Sequence, residues 1–131
     1  MRENDFGMYR ALPGVSYDEA VQRVETALQD EGFGILTRID VRETLKKKID
    51  VDFHPYVILG ACNPPLAHRA LSAEDTIGLM LPCNVVVAES AEGSEVSIAR
   101  PTVMMQIADA EGLESVAEEA QERLERALAK V

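Results

Sequence analysis

Two cysteines and two histidines are the residues of this chain best suited to nucleophilic, redox or metal chemistry. Each cysteine precedes an asparagine, in the pairs Cys62-Asn63 and Cys83-Asn84. Asn63 is a good N-cap and Pro64 suits a first helical position, so the sequence predicts a strand that ends at Cys62 and a helix that follows it. The free N–H groups of such a helix start would lower the pKa of the Cys62 thiol and attract an anion.

The two cysteines could share one site if the strand before Cys62 lies beside the strand after Pro82. Both thiols would then face the same edge of a sheet. The candidate ligand-binding residues are the ones expected around this corner: Cys62, Asn63, Pro64, His68, Pro82 and Cys83. His54 precedes Pro55 at a strand entrance, where a surface or capping role is expected.

No catalytic residue and no metal ligand is assigned from the sequence. The gap between the cysteines resembles no standard zinc-finger spacing. A nucleophilic Cys62 would need a general base. His68 falls well inside the expected helix, so the sequence does not predict a direct contact between its imidazole and the Cys62 thiol. The chain also lacks a glycine-rich phosphate loop, a Gly-x-Ser-x-Gly elbow and a His-Glu-x-x-His helix. Enzymatic activity is therefore not expected, and no cofactor is assigned.

Composition excludes several classes of partner. The net charge of −10 argues against a nucleic-acid backbone, and the run Lys46-Lys47-Lys48 is offset by neighbouring acidic residues. No apolar run approaches the roughly 18 to 20 residues that span a bilayer, and the first residues lack a signal-peptide pattern, so no membrane partner and a cytoplasmic location are expected. A length of 131 residues with 47% hydrophobic content favours one domain over residues 1–131.

Hydrophobic periodicity predicts five strands and at least four helices. The strands are expected near Gly7 to Leu12, Phe33 to Asp40, Tyr56 to Ala61, Val85 to Val87 and Glu95 to Ala99. The helices are expected from Ser16 to Gly32, after Asp40, from Pro64 to Leu71 and from Leu113 to Lys130. The segment from Thr102 to Ala108 is expected to connect elements, with an extended conformation left open. Phe33, Ile35, Thr37 and Ile39 are expected on one face of their strand. This order predicts an α+β domain with helices on one face of a mainly antiparallel sheet.

The sequence resembles the bacterial and archaeal family called domain of unknown function 302. The resemblance rests on Gly60-Ala61-Cys62-Asn63-Pro64 and, after a short break, Leu81-Pro82-Cys83 followed by Val85-Val86-Val87. It implies a fold similar to the TATA-box-binding-protein type, a β-α-β4-α arrangement around a curved antiparallel sheet. Relative to that topology, the two short helices expected after Asp40 and from Pro64 to Leu71 are insertions. It also implies a dimer. No activity is established for the family, so the resemblance implies no catalytic residue.

Three functions remain open from the sequence. The first is a homodimer that binds a small ligand, either anionic or planar and apolar, in a cleft near Cys62 and Cys83. The second is a thiol-based redox or metal-binding protein that uses the same two cysteines. The third is a purely structural interaction module, with the last helix or a sheet edge as the dimer contact.

Overall fold

A five-stranded antiparallel sheet, with strand order β1-β5-β4-β3-β2, forms the centre of the computed structural model, which describes residues 5–131. The strands are β1 (Gly7–Pro13), β2 (Gly34–Asp40), β3 (Tyr56–Cys62), β4 (Cys83–Ser90) and β5 (Gly93–Ala99). The helices are α1 (Tyr17–Asp30), α2 (Val41–Ile49), α3 (Pro64–Ala73), α4 (Pro101–Gln106) and α5 (Leu113–Lys130), with a 3₁₀ helix at Asp75–Met80. The prediction of an α+β fold with helices on one side of an antiparallel sheet is confirmed.

The element order becomes β-α-β4-α once the shorter helical insertions are set aside. These insertions are α2, α3, the 3₁₀ helix and α4. The sequence predicts two of them, α2 and α3, so the chain carries more helical insertions than expected. The likeness to the TATA-box-binding-protein type and the curvature of the sheet stay predictions.

Three helices begin at the capping residues that the sequence indicated. The Ser16 hydroxyl accepts a hydrogen bond from the backbone N–H of Glu19, and the Asp40 carboxylate accepts one from the N–H of Glu43. The Asn63 side chain accepts one from the N–H of Leu66. Each bond satisfies a backbone donor that the first turn of a helix leaves without a partner. Local chemistry therefore sets where β3 ends and where α3 begins.

A β-bulge in β2 overturns the predicted alternation along that strand. Ile35 pairs with Ala61 but Thr37 pairs with Gly60, which leaves Leu36 as an extra residue. Because an extra residue reverses the side-chain alternation, Thr37 and Ile39 lie on the opposite face from Ile35. The prediction that all of them share one face was wrong beyond Ile35.

The segment after β5 is helical where a connection without a helix was expected. Pro101 begins α4, which ends at Gln106. Proline suits a first helical position because its missing N–H would have no partner there in any case. Met105 is buried against α5, so tertiary packing adds to this weak local preference for a helix.

The hydrophobic core has two clusters that meet near the cysteines. The main cluster joins the sheet to α1 and the second half of α5, and its largest buried side chains include Phe33, Leu28, Leu59 and Leu124. The second cluster joins α3, the 3₁₀ helix, α4 and the first half of α5, through Leu66, Ala70, Ile77, Met105, Leu113, Val116, Ala117 and Ala120. The end of β3 and the start of β4 lie where the two clusters meet.

None of the helices in residues 5–131 has the length and apolar composition needed to cross a bilayer.

Candidate functional site

The structure brings the two cysteines together at the meeting point of the two hydrophobic clusters. β3 and β4 are neighbours, and Ala61 lies directly opposite Cys83, so Cys62 is one residue from that pairing. Both thiols are free and partly buried. They line a small cavity, called here the cysteine cleft, with a volume of about 30 Å³, roughly the space of one water molecule. Its lining residues are Phe33, Ala61, Cys62, Asn63, Leu66, Ala67, Ala70, Leu81, Pro82, Cys83, Met105, Val116 and Ala120.

Burial keeps both thiols protonated near neutral pH. It raises the pKa of Cys62, which reverses the expectation that the α3 helix start would lower it. Burial, together with the nearby charge that Cys62 would carry if ionised, raises the pKa of Cys83 to about 11. Loss of water around the sulfur atoms is the main cause at both positions. The thiolate, which is the nucleophilic form of cysteine, is scarce at both positions.

Four of the six candidate residues line the cysteine cleft, and two do not. Cys62, Asn63, Pro82 and Cys83 are part of its wall. Pro64 and His68 are exposed on α3 and lie outside that wall.

His54 is remote from the cysteines, at the opposite end of β3. Its ring stacks on Phe53 with a centroid separation of 4.2 Å and meets Tyr56 edge-on at 5.9 Å. Residues 5–131 contain no group of three or more His, Cys, Asp or Glu side chains placed to hold a metal ion.

Met105 connects the cysteine cleft to a second, larger depression. A groove of about 420 Å³, called here the α4–α5 groove, lies between α4 and α5 and includes Met105 in its wall. The other lining residues are Thr102, Gln106, Asp109, Ala110, Leu113, Glu114, Ala117 and Glu118. Because Met105 lines both spaces, its side chain forms part of the partition between them. In the sequence, Met105 stands out only through its neighbour Met104, and such methionine pairs more often fill core gaps than bind ligands.

Comparison with known proteins places the chain in a family. Residues 8–131 match the family model described as "Domain of unknown function DUF302". The chain belongs to the DUF302 family. A crystal structure of an uncharacterized conserved DUF302 protein from Bacillus stearothermophilus is similar, with a TM-score of 0.86 and 31% sequence identity over 95% of this chain and 97% of that one. No curated protein matches the chain.

Asn63 braces the cleft of this DUF302 protein against the corner between α1 and β2. Gly32 ends α1 with a φ of +84°, and the N–H groups of Gly32 and Phe33 bond to the carbonyls of Gln29 and Leu28. A Cβ atom on Gly32 would lie 2.9 Å from the Asn63 side-chain nitrogen. Two features therefore favour glycine at position 32: the left-handed backbone, and the close approach of the Asn63 side chain.

Glu31 fixes α5 to the same corner. Its side chain is largely buried and accepts hydrogen bonds from Lys130 Nζ at 2.6 Å and from Arg126 Nε at 2.9 Å, while Arg123 donates to its backbone carbonyl at 3.3 Å. The bonds from Lys130 and Arg126 hold the pKa of the Glu31 carboxyl below its usual range. An ionic contact thus holds α5 against the end of α1, the two helices that pack in the main cluster.

Proposed function

We propose that this DUF302 protein is a homodimer that binds a small apolar molecule in the cysteine cleft. The observation that carries the proposal is the cleft itself, an apolar space at the junction of two hydrophobic clusters, with both cysteines in its wall. Asn63 is the only amide among its lining residues, and no charged side chain lines it. An uncharged, apolar occupant suits such a wall, because an ion without a charged partner would lose its hydration there.

The occupant needs more room than the cleft has in this structure, and Met105 is the residue best suited to provide it. Methionine is unbranched and adapts its shape easily. Movement of the Met105 side chain would join the cysteine cleft to the α4–α5 groove. α4 has only six residues, and its N-cap residue Arg100 makes no capping bond, so its first turn is held from α5, where Gln121 Oε1 accepts a hydrogen bond from the backbone N–H of Thr102 at 3.2 Å.

The raised pKa of both thiols weighs against the redox alternative. A reactive cysteine needs a substantial thiolate fraction near neutral pH, and burial opposes it at Cys62 and Cys83. The metal alternative would require further ligands, and neither histidine lies beside the cysteines. Ligand binding is the function that uses the two cysteines as they are arranged, as polarizable groups in an apolar wall.

The proposed dimer contact is the outer sheet face, the side of the sheet opposite the helices. Ile39 lies opposite Ile58, and Ile58 lies opposite Val86, which forms an aliphatic row across three strands. Ile39 is 48% exposed, and Ile58 and Val86 are partly exposed. A second copy of the same face is a suitable partner, because a twofold axis would place the two rows against each other. Covering apolar side chains in this way removes them from water.

Native mass spectrometry of protein purified without denaturation tests both parts of the proposal. We expect the mass of a dimer, with a small molecule retained in the wild type and absent from Ala67→Leu, whose larger side chain would fill the cleft. Ser72→Leu, on the exposed side of the same helix, is the matched control and should retain the molecule. A monomeric mass contradicts the dimer, and equal adducts on both variants contradict the cleft.

A further inference from the structure

The groove beside β1 has no part in the proposed function and has a different chemistry from the cysteine cleft. It has a volume of about 450 Å³ and lies between β1 and the last turns of α5. Its lining residues are Gly7, Met8, Tyr9, Arg10, Arg100, Glu125, Leu128 and Ala129. The two arginines distinguish it, so it is called here the arginine groove.

Neither guanidinium of the arginine groove has a carboxylate partner within residues 5–131. Arg10 donates to the carbonyls of Leu128 at 2.8 Å and Ala129 at 2.6 Å, and Arg100 donates to the carbonyl of Gly7 at 3.1 Å. Most of the other arginines in this part of the chain do form ion pairs with carboxylates, namely Arg23, Arg38, Arg69, Arg123 and Arg126. Two partly buried cations with no carboxylate partner among the described residues are unexpected in a protein of net charge −10.

The bonds to carbonyls fix the two guanidinium groups and leave donors unused. Each guanidinium has five N–H donors, and the bonds described involve NH1 of Arg10 and NH2 of Arg100. β1 is an edge strand that pairs only with β5, so alternate backbone N–H groups along it also lack a strand partner. The Tyr9 hydroxyl is a further potential donor in the wall.

Glu125 is the one carboxylate in the wall, and it opposes an anion. Its Oε1 accepts a hydrogen bond from the Gln121 amide at 3.2 Å and forms no ion pair with Arg10 or Arg100. The positive charges therefore outnumber the negative one, and they are not neutralised by it.

We propose that the arginine groove binds an oxyanion, either a phosphate or a carboxylate group of a small molecule, between Arg10 and Arg100. Guanidinium groups match both oxyanions because they donate parallel hydrogen bonds from a planar fork. This site is separate from the cysteine cleft, so either proposal can fail without the other.

The test is a titration followed by NMR of the arginine Nε–H signals, with inorganic phosphate in one arm and acetate in the other. Sodium chloride keeps the ionic strength constant in both arms. We expect saturable shifts of the Arg10 and Arg100 signals in at least one arm, and the arm that saturates identifies the anion class. Absence of saturation in both arms overturns the proposal.

Three variants separate a specific site from general charge attraction. Arg100→Gln should weaken binding at least tenfold, whereas Glu125→Gln should strengthen it severalfold because it removes the opposing charge. Arg42→Gln removes an exposed arginine outside the groove and should leave the affinity unchanged. Equal weakening by Arg42→Gln and Arg100→Gln, or no gain in Glu125→Gln, would contradict the assignment.

Discussion

At the scale of single residues, the contact between Gly32 and Asn63 supports the cysteine cleft. Asn63 accepts the hydrogen bond that begins α3 and contributes to the cleft wall. Its side-chain nitrogen occupies the space that a side chain at position 32 would need. The end of α1 and the start of α3 are therefore linked by one asparagine.

Replacing Gly32 by alanine measures that link. We expect Gly32→Ala to lower the free energy of unfolding by about 2–3 kcal/mol, part from the left-handed backbone and part from crowding against Asn63. Gly14→Ala is the matched control, because Gly14 has a φ of +74° but nothing within 4 Å of its Cβ position. Its cost should be about 1 kcal/mol, as measured by urea denaturation.

Equal costs for the two glycine variants would show that the Asn63 contact is unimportant. In an Asn63→Ser background, the excess cost of Gly32→Ala should decrease, because serine keeps a capping oxygen but is shorter.

At the scale of elements, the sequence predicts best where local chemistry decides the structure. The helices that begin after Ser16, Asp40 and Asn63 each have a capping side chain, and all three begin where expected. The paired strands β4 and β5 have clear alternation, with Val96 and Ile98 buried.

The elements that the sequence did not predict depend on contacts between distant parts of the chain. The bulge at Leu36 follows from the pairing of β2 with β3, and α4 has an apolar side that packs on α5.

The meeting of Cys62 and Cys83 could be anticipated, because it requires only that two strands be neighbours. Met105 could not be assigned to the cleft, since that depends on how α4 packs on α5. For the arginine groove, the sequence contains one weak signal: Arg10 is a charged residue that lies between the buried Met8 and Leu12 along β1.

The ionic contact of Glu31 with α5 should make stability depend on pH. Since the folded-state pKa of Glu31 is lowered, this contribution is present above the pKa of the unfolded chain and is lost as the pH falls through the folded-state value. We expect Glu31→Gln to be less stable than the wild type at pH 7, and the difference to close in acid. Urea denaturation at pH 7 and pH 3 measures this.

Glu118→Gln, an exposed change on α5, should be neutral at both pH values. A Glu31→Gln deficit of the same size at pH 3 and pH 7 would show that packing, rather than charge, explains the contact.

At the scale of the whole molecule, the helices cover one face of the sheet, and the outer sheet face is the proposed dimer contact. We expect Ile58→Arg and Ile39→Arg to convert the dimer to a monomer, because each would bury a charge at the proposed contact. Leu79→Arg is the control, since Leu79 is 91% exposed on the 3₁₀ helix, away from the outer sheet face. Size-exclusion chromatography with light scattering measures the mass, and a dimer that survives both isoleucine changes would place the contact elsewhere.

Opening of the cysteine cleft at Met105 to hold an apolar molecule can be tested by a benzene titration followed through methionine methyl NMR signals. We predict that the Met105 signal shifts and saturates, that the signal of Met8, which lies in the main cluster, does not, and that Ala67→Leu abolishes the response. A Met105 signal that never saturates, or one that responds equally in Ala67→Leu, would contradict the account.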